Sequence, residues 1–210
     1  MIWTSVEALT PAVLSQTERL ESVAVLLALL AHQCPGIVAR VVPQWREKPD
    51  PAAGFESIAS GLEGCARPWV LFVQDDVKLT ANFGELAAQL LPLADDVGAL
   101  SLFSPWPRDV DFLRAGRTQY EAVRPFVYAQ CLLLRCELAH AWAKELRNWT
   151  GHPRSDDNAL TPAADKLRLR VLISLPSLAQ HLGVESAFGN QTRSIQSPTF
   201  VSGIMTSYLV

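Results

Sequence analysis

Two adjacent carboxylates offer the clearest chemistry in the sequence. Asp75 and Asp76 follow Gln74 at the end of a continuous apolar run at residues 68–73, which is typical of a strand buried on both faces of a parallel sheet. Ligands of open α/β sheets bind outside the carboxyl ends of the strands. Adjacent carboxylates repel one another unless a cation joins them, and a hard divalent ion that bridges them to a diphosphate would relieve that repulsion. The pair therefore indicates a metal and diphosphate site, although one Asp could instead cap the following turn.

A histidine lies in a segment bounded by proline and glycine near the end of the chain. His181 belongs to the sequence LPSLAQHLG at residues 175–183, which follows an apolar run typical of a strand. Imidazole nitrogen is a common ligand of divalent metals, so His181 is a candidate metal ligand. A lone histidine is more often structural, and the metal interpretation depends on this segment meeting the Asp pair.

Alternating apolar and helical patterns predict the elements that position these residues. We expect strands at residues 2–7, 37–42, 68–73, 97–103, 126–134 and 170–174, and helices at 17–33, 55–65, 80–91, 137–147 and 157–166. Thr80 is the expected N-cap of the third helix. This alternation is typical of βαβ units, in which helices flank a parallel sheet.

Residues 104–125 show no clear period and are predicted to form a long loop. They interleave four arginines with Trp106, Phe112 and Tyr120. Such rings could stack on sugar faces and such guanidinium groups could bind a diphosphate. The same interleaving lines single-stranded nucleic-acid grooves, and a solvated loop with amphipathic side chains is the simpler alternative.

Length and composition narrow the class of protein. A chain of 210 residues fits one domain, which we place at residues 1–183, with a polar tail at 184–210 that packs on it. The net charge of −3 provides no overall attraction for nucleic acid or for an anionic membrane. The four cysteines form no CxxC pair, and we expect all of them to be reduced. No apolar run is long enough for a transmembrane segment and no secretion signal is visible, so a cytoplasmic protein is predicted.

The order of three segments resembles that of small GT-A glycosyltransferases. The segments are WVLFVQDDV at residues 69–77, DNAL at 157–160, and LPSLAQHLG at 175–183 with Ser186 after it. In that family an acidic pair of the DxD type ends a central strand, and a PSLxQHxGxxS segment closes the site. The resemblance covers about residues 37–186. It implies an α/β fold of the GT-A (Rossmann-like) type, with a mixed, mainly parallel sheet flanked by helices.

The resemblance also implies roles for individual residues. Asp76 matches the position that usually contacts the metal, and His181 matches a further metal ligand. Asp75 matches the position nearer the ribose or sugar of the donor, and Ser186 completes the donor-binding set with Gln74. Gln74 stands where many relatives carry an acidic residue, so the strand end here has one charge fewer.

The activity implied by the resemblance is transfer of a sugar from a nucleoside-diphosphate sugar to an acceptor hydroxyl, assisted by Mn²⁺ or Mg²⁺. An inverting enzyme needs a general base, and Asp157 or Asp156 occupies the matching region, although either could simply cap the following helix. The acceptor would be a saccharide or glycolipid, or a hydroxylated nucleobase in DNA. The alternatives are a non-catalytic nucleotide-sugar-binding domain and a sugar-nucleotide nucleotidyltransferase, which would require a Gly-rich triphosphate loop that is not visible near residue 1.

Overall fold

A computed structural model describes residues 9–16, 20–34, 40–44, 51–64, 68–91, 93–150, 157–182 and 195–202. The strands in this part of the chain are β1 (Leu9–Gln16), β2 (Arg40–Gln44), β3 (Trp69–Gln74), β4 (Val77–Leu79), β5 (Val97–Ser101), β6 (Gln119–Glu121), β7 (Cys131–Arg135), β8 (Arg170–Ser174) and β9 (Ala179–His181). The helices are α1 (Leu20–Gln33), α2 (Pro51–Glu63), α3 (Phe83–Leu90), α4 (Asp109–Arg114), α5 (Cys136–Arg147) and α6 (Leu160–Leu167), and a 3₁₀ turn (Asp157–Ala159) precedes α6. The strand predicted at residues 2–7 lies outside the described residues.

Seven strands form a mixed sheet in the order β2, β1, β3, β7, β5, β8, β6. Strands β1, β2 and β3 are parallel, β7 runs opposite to both β3 and β5, and β8 is parallel to β5. The carboxyl ends of β3, β5 and β8 therefore lie at the same edge of the sheet as the amino end of β7. Strands β4 and β9 form a separate two-stranded ribbon.

The central strand β3 divides the apolar core into two layers. Val70 and Phe72 belong to the layer that contains buried side chains of α2, α5 and α6, whereas Leu71 and Val73 belong to the layer with α1 and α3. Alternate residues of a strand point to opposite faces, so a continuous apolar run is what a doubly covered strand requires. The ring of Phe72 meets Trp142 of α5 edge to face, with centroids 5.3 Å apart. The prediction that this strand is buried on both faces is confirmed.

The structure corrects the prediction for residues 104–125. This segment contains helix α4 and strand β6, which pairs antiparallel with β8 through the register Tyr120 to Ile173. Six helical and three strand residues are too few to show a period in the sequence. Thr80 is also not the N-cap of α3: that position is Asn82, and the Thr80 hydroxyl donates a hydrogen bond to the Val201 carbonyl over 2.8 Å.

The cysteines differ from the expectation of four reduced thiols. Cys34 and Cys131 are buried free thiols, and burial raises the pKa of each. Cys136, the first residue of α5, is disulfide-bonded, and Cys65 lies outside the described residues. Within the described ranges, no helix combines the length and apolar character that crossing a bilayer requires.

Candidate functional site

The candidate site is built at the edge of the sheet where β3, β5 and β8 end. Asp75 and Asp76 form the turn that leads from β3 into β4. The segment 175–178 connects β8 to β9, and the backbone N–H groups of Leu178 and Ala179 both donate to the Leu102 carbonyl just after β5. These bonds place the segment that carries the histidine over the end of β5, beside the Asp pair.

The short ribbon brings His181 to Asp76. Val77 is the register partner of His181 in the antiparallel β4–β9 pair, and the Leu182 N–H donates to the Asp76 carbonyl over 2.8 Å. The two side chains meet as a result, with Nε2 of His181 3.3 Å from Oδ2 of Asp76. Their side chains are only 16% and 11% exposed, so solvent screens this contact weakly.

The carboxylates of Asp75 and Asp76 are both buried, at 5% and 8% residue exposure. Burying negative charge is costly unless a positive charge or hydrogen-bond donors accompany it. Imidazole supplies such a charge only when protonated, whereas a divalent cation supplies it at any pH at which the carboxylate is ionised.

The donor atoms of Asp76 and His181 suit Mn²⁺ or Mg²⁺ in part. A carboxylate oxygen beside an imidazole nitrogen is a donor set that Mn²⁺ accepts, and Mg²⁺ commonly takes one or two protein carboxylates together with substrate phosphates. No group of three His, Cys, Asp or Glu side chains arranged for a metal occurs among the described residues. A cation held by this pair would therefore complete its coordination with phosphate oxygens or water.

Asp157 begins the 3₁₀ turn before α6, and backbone amides hold its carboxylate. Its Oδ2 accepts a hydrogen bond from the Tyr128 N–H over 2.6 Å, and its Oδ1 accepts one from the Asn158 N–H over 2.9 Å. Burial raises the pKa of Asp157 above the ordinary value, although these amide bonds act in the opposite direction. Asp156 and Ser186 lie outside the described residues, so the structure describes neither.

A loop before β7 connects Asp157 with the Asp pair. Tyr128 lies two residues before Gln130, whose carbonyl accepts a hydrogen bond from the N–H of Gln74 at the end of β3 over 2.9 Å. Asp157 therefore belongs to the same sheet edge as Asp75. Gln74, the last residue of β3, makes this connection through its backbone N–H.

Tyr128 is a residue that the sequence patterns missed. Its φ of 74° lies in the left-handed region, which is costly for a bulky side chain and occurs preferentially at functional sites. Its ring packs edge to face against Phe103 and Trp106, with centroids 6.4 and 5.7 Å away. The sequence contains no glycine or asparagine here that would indicate a left-handed residue. Contacts with the Asp157 carboxylate and with the neighbouring rings stabilise this conformation of Tyr128 instead.

Buried hydroxyl groups attach the segment 195–202 to the loop that precedes His181. The Ser197 hydroxyl donates to the Ser177 hydroxyl over 2.8 Å, and the Ser177 N–H donates to the Thr199 hydroxyl over 3.2 Å. The Ser197 N–H also donates to Oε1 of Gln180, the neighbour of His181, over 2.7 Å. The serine and glutamine of the LPSLAQHLG sequence thus connect the ribbon to the C-terminal segment rather than contacting the Asp pair.

Comparisons with known proteins bear on the fold. No protein-family model matches the chain, and no curated protein does. A solved glycosyltransferase involved in the glycosylation of the major capsid of PBCV-1 is 11% identical with a TM-score of 0.57, and the match covers 85% of this chain and 96% of that chain. The fold is therefore the α/β GT-A type, as the sequence predicted.

Two further solved structures have lower scores. A Drosophila β1,4-galactosyltransferase 7 variant in complex with manganese, UDP-Gal and xylobiose is 16% identical with a TM-score of 0.49, and the match covers 88% of this chain and 75% of that chain. The mannosyltransferase of Pyrobaculum calidifontis, in complex with GDP-Man and Mn²⁺, is 15% identical with a TM-score of 0.47, and the match covers 84% and 58% of the two chains.

Proposed function

We propose that this chain is a glycosyltransferase that moves a sugar from a nucleoside-diphosphate sugar to an acceptor hydroxyl with the help of a divalent metal ion. The observation that carries the proposal is the 3.3 Å contact between the Asp76 carboxylate and the His181 imidazole. This contact lies at the edge of the sheet where ligands of α/β proteins bind. The GT-A fold is compatible with this activity, and the two side chains would be the metal ligands.

The metal would be held by Asp76 and His181, with Mn²⁺ or Mg²⁺ as the candidates. A cation bound there would neutralise the negative charge that develops on the departing diphosphate. Asp75, which adjoins Asp76 in the same turn, would contact the ribose or sugar of the donor. Gln74 and Ser186 belong to the same proposed donor-binding set.

Asp157 is the proposed general base of an inverting reaction, with Asp156 as the alternative from sequence alone. The carboxylate would take the proton of the acceptor hydroxyl while that oxygen bonds to the anomeric carbon and the bond from that carbon to the diphosphate breaks. Two observations support this role: backbone amides fix the orientation of Asp157, and burial raises its pKa toward the range in which a carboxylate accepts a proton well.

The proposed acceptor is a saccharide or a glycolipid. Trp106 and Tyr128 form an aromatic pair next to the amide that holds Asp157, and both are partly exposed. Aromatic rings offer an apolar face on which a pyranose ring can pack. An acceptor hydroxyl positioned there would lie beside the proposed base.

A panel of nucleotide sugars tests the proposal. Purified protein with Mn²⁺ should release free nucleotide slowly from one member of a set of UDP- and GDP-sugars, and EDTA should abolish the release. A non-catalytic binding domain would instead show a higher melting temperature with nucleotide and metal but release no nucleotide. Absence of both the release and the thermal shift across the panel would refute donor binding altogether.

A further inference from the structure

Two arginines and three aromatic rings form a patch on the surface beside the proposed acceptor region. The guanidinium carbon of Arg108 lies 5.7, 6.0 and 5.5 Å from the ring centroids of Trp106, Phe112 and Tyr120. The guanidinium carbon of Arg117 lies 4.9 Å from the Phe112 centroid. We call these five residues the arginine–aromatic patch.

The two guanidinium groups of the patch retain their charge for an external ligand. Arg108 and Arg117 are exposed, and neither forms an ion pair with any residue that the structure describes. Arg114, which lies between them in the sequence, differs because it contacts the Asp111 carboxylate over 3.4 Å. A guanidinium group attracted to the face of an aromatic ring still carries N–H groups that can bind oxyanions.

A buried carboxyl beneath the patch holds the aromatic support in place. Asp109 is fully buried, and its Oδ1 accepts a hydrogen bond from the Tyr120 hydroxyl over 2.6 Å. Burial and this carboxylate together raise the pKa of Tyr120 to about 12, so the phenol stays protonated and keeps donating. The Ser104 hydroxyl lies 3.3 Å from the same phenol oxygen. The Asp109 carboxyl thus faces Tyr120 rather than solvent.

The patch borders the proposed acceptor position through Trp106. This ring lies near both the Arg108 guanidinium and the Tyr128 ring, and the Tyr128 N–H donates to Asp157. A saccharide whose reacting hydroxyl faced Asp157 would therefore extend across Trp106 toward the two guanidinium groups.

We propose that the arginine–aromatic patch binds the negatively charged group of an acidic saccharide, so that the acceptor is an anionic sugar rather than a neutral one. The inference rests on the proposed function for the identity of the ligand as an acceptor. A planar guanidinium pairs with a carboxylate or phosphate through two parallel hydrogen bonds, and the adjacent rings accommodate the sugar face. A nucleic-acid acceptor fits less well because the net charge is −3 and the patch offers two available guanidinium groups rather than a continuous basic track.

Binding measurements without donor test the patch directly. Calorimetric titration should show that methyl β-glucuronide binds about tenfold more tightly than methyl β-glucoside, which carries a hydroxymethyl group in place of the carboxylate, because a charge-assisted hydrogen bond contributes a free energy of that order. Methyl β-glucoside 6-phosphate shows whether a phosphate is bound as well as a carboxylate. Arg108→Gln should remove this preference and Arg117→Gln should reduce it, while affinity for the neutral glucoside stays unchanged.

Arg114→Gln is the matched control, because it removes the same charge from the same segment but from a guanidinium already paired with Asp111. Equal binding of charged and neutral glucosides by the unaltered protein would overturn the proposal, as would equal losses in Arg108→Gln and Arg114→Gln at unchanged melting temperature. Tighter binding of a single-stranded oligonucleotide, lost in Arg108→Gln, would replace the saccharide by nucleic acid. Glucuronide binding without any hydrolysis of nucleotide sugars would refute the transferase but keep the anion site.

Discussion

Asp76 and Asp157 are two carboxylates at one edge of the sheet, and they have opposite kinds of partner. Asp76 faces the imidazole of His181 at 3.3 Å, whereas Asp157 accepts hydrogen bonds from two backbone amides, the closer at 2.6 Å. The His181 contact of Asp76 is with a side chain that can bind a metal. The hydrogen-bond donors to Asp157 are backbone N–H groups, which fix its orientation and cannot bind a metal.

The difference matches the two tasks that we propose for these carboxylates. A carboxylate next to an imidazole is suited to share a cation with it, which is the proposed role of Asp76. A buried carboxylate fixed by amides is suited to gain and lose a proton, because burial raises its pKa while its position stays constant. Four predictions test this contrast, from the largest expected effect to the smallest.

Asp157→Asn should remove the proposed base, because the asparagine amide has nearly the same shape as the carboxylate but does not accept a proton. We expect kcat to fall by about 10²–10⁴-fold with nearly unchanged donor affinity, because the transfer of the acceptor proton loses its recipient. The acid limb of the kcat/KM profile should disappear in the variant. A kcat within a few-fold of the unaltered enzyme would exclude Asp157 as the base and turn attention to Asp156 or to a retaining mechanism.

Asp76→Asn should weaken the metal site without altering the fold. The expected loss is about 10²–10³-fold in kcat/KM, because stabilisation of the leaving diphosphate depends on the bound cation. Steady-state rates titrated with Mn²⁺ would measure it. Asp95→Asn is the control. The Asp95 side chain is fully exposed, so this substitution removes the same charge from the surface rather than from the site. Metal-dependent turnover equal to that of the control would contradict the central proposal.

His181→Gln should have a smaller effect than the loss of the carboxylate charge. We expect Mn²⁺ affinity to fall about tenfold, with much of kcat recovered at saturating metal, because one neutral ligand is exchanged for another. Electron paramagnetic resonance of free Mn²⁺ measures the affinity directly. His32→Gln on the exposed end of α1 is the matched control. If both variants bind Mn²⁺ equally well, the role of His181 is structural.

The stability of the protein should reveal the environment of Asp157. Its folded-state pKa lies above its unfolded value because burial disfavours the charged carboxylate. The folded state therefore binds more protons between those two pKa values, and this contribution to stability is lost as pH rises through the folded pKa. Asp157→Asn should accordingly gain melting temperature relative to the unaltered protein as the pH rises above the ordinary pKa of an aspartate, and the gain should become constant above the folded-state pKa of Asp157. A difference independent of pH would show that Asp157 is not buried in solution.

Several strands of the sheet were predictable from sequence because buried strands have a local apolar pattern, although β1 (Leu9–Gln16) was not predicted. The apolar run at residues 68–73 corresponds to β3, and the run at 170–174 corresponds to β8. Strand β7 was located less well: the prediction began at residue 126, but the strand begins at Cys131. The residues between carry Tyr128 in the left-handed region, and a chain of apolar and aromatic residues does not reveal that change of backbone.

The short elements around the site were not predictable. The β4–β9 ribbon has three residues on each side, and β6 is also three residues long. Such segments become strands only because a partner from elsewhere in the chain supplies hydrogen bonds, which local propensity does not encode. The disulfide at Cys136 was also missed, because the spacing of the four cysteines does not show which of them are paired.

The sequence by itself determined which residue types were available and that β3 would end at the Asp pair. Hydrophobic periodicity and the order of the motifs were enough for the α/β class and for the prediction that Asp75 and Asp76 follow a central strand. Only the tertiary structure decided that His181 lies 3.3 Å from Asp76 and that Tyr128 donates to Asp157. These contacts join residues about a hundred and about thirty positions apart, and distances of that kind are fixed by the packing of the whole sheet rather than by any local run of side chains.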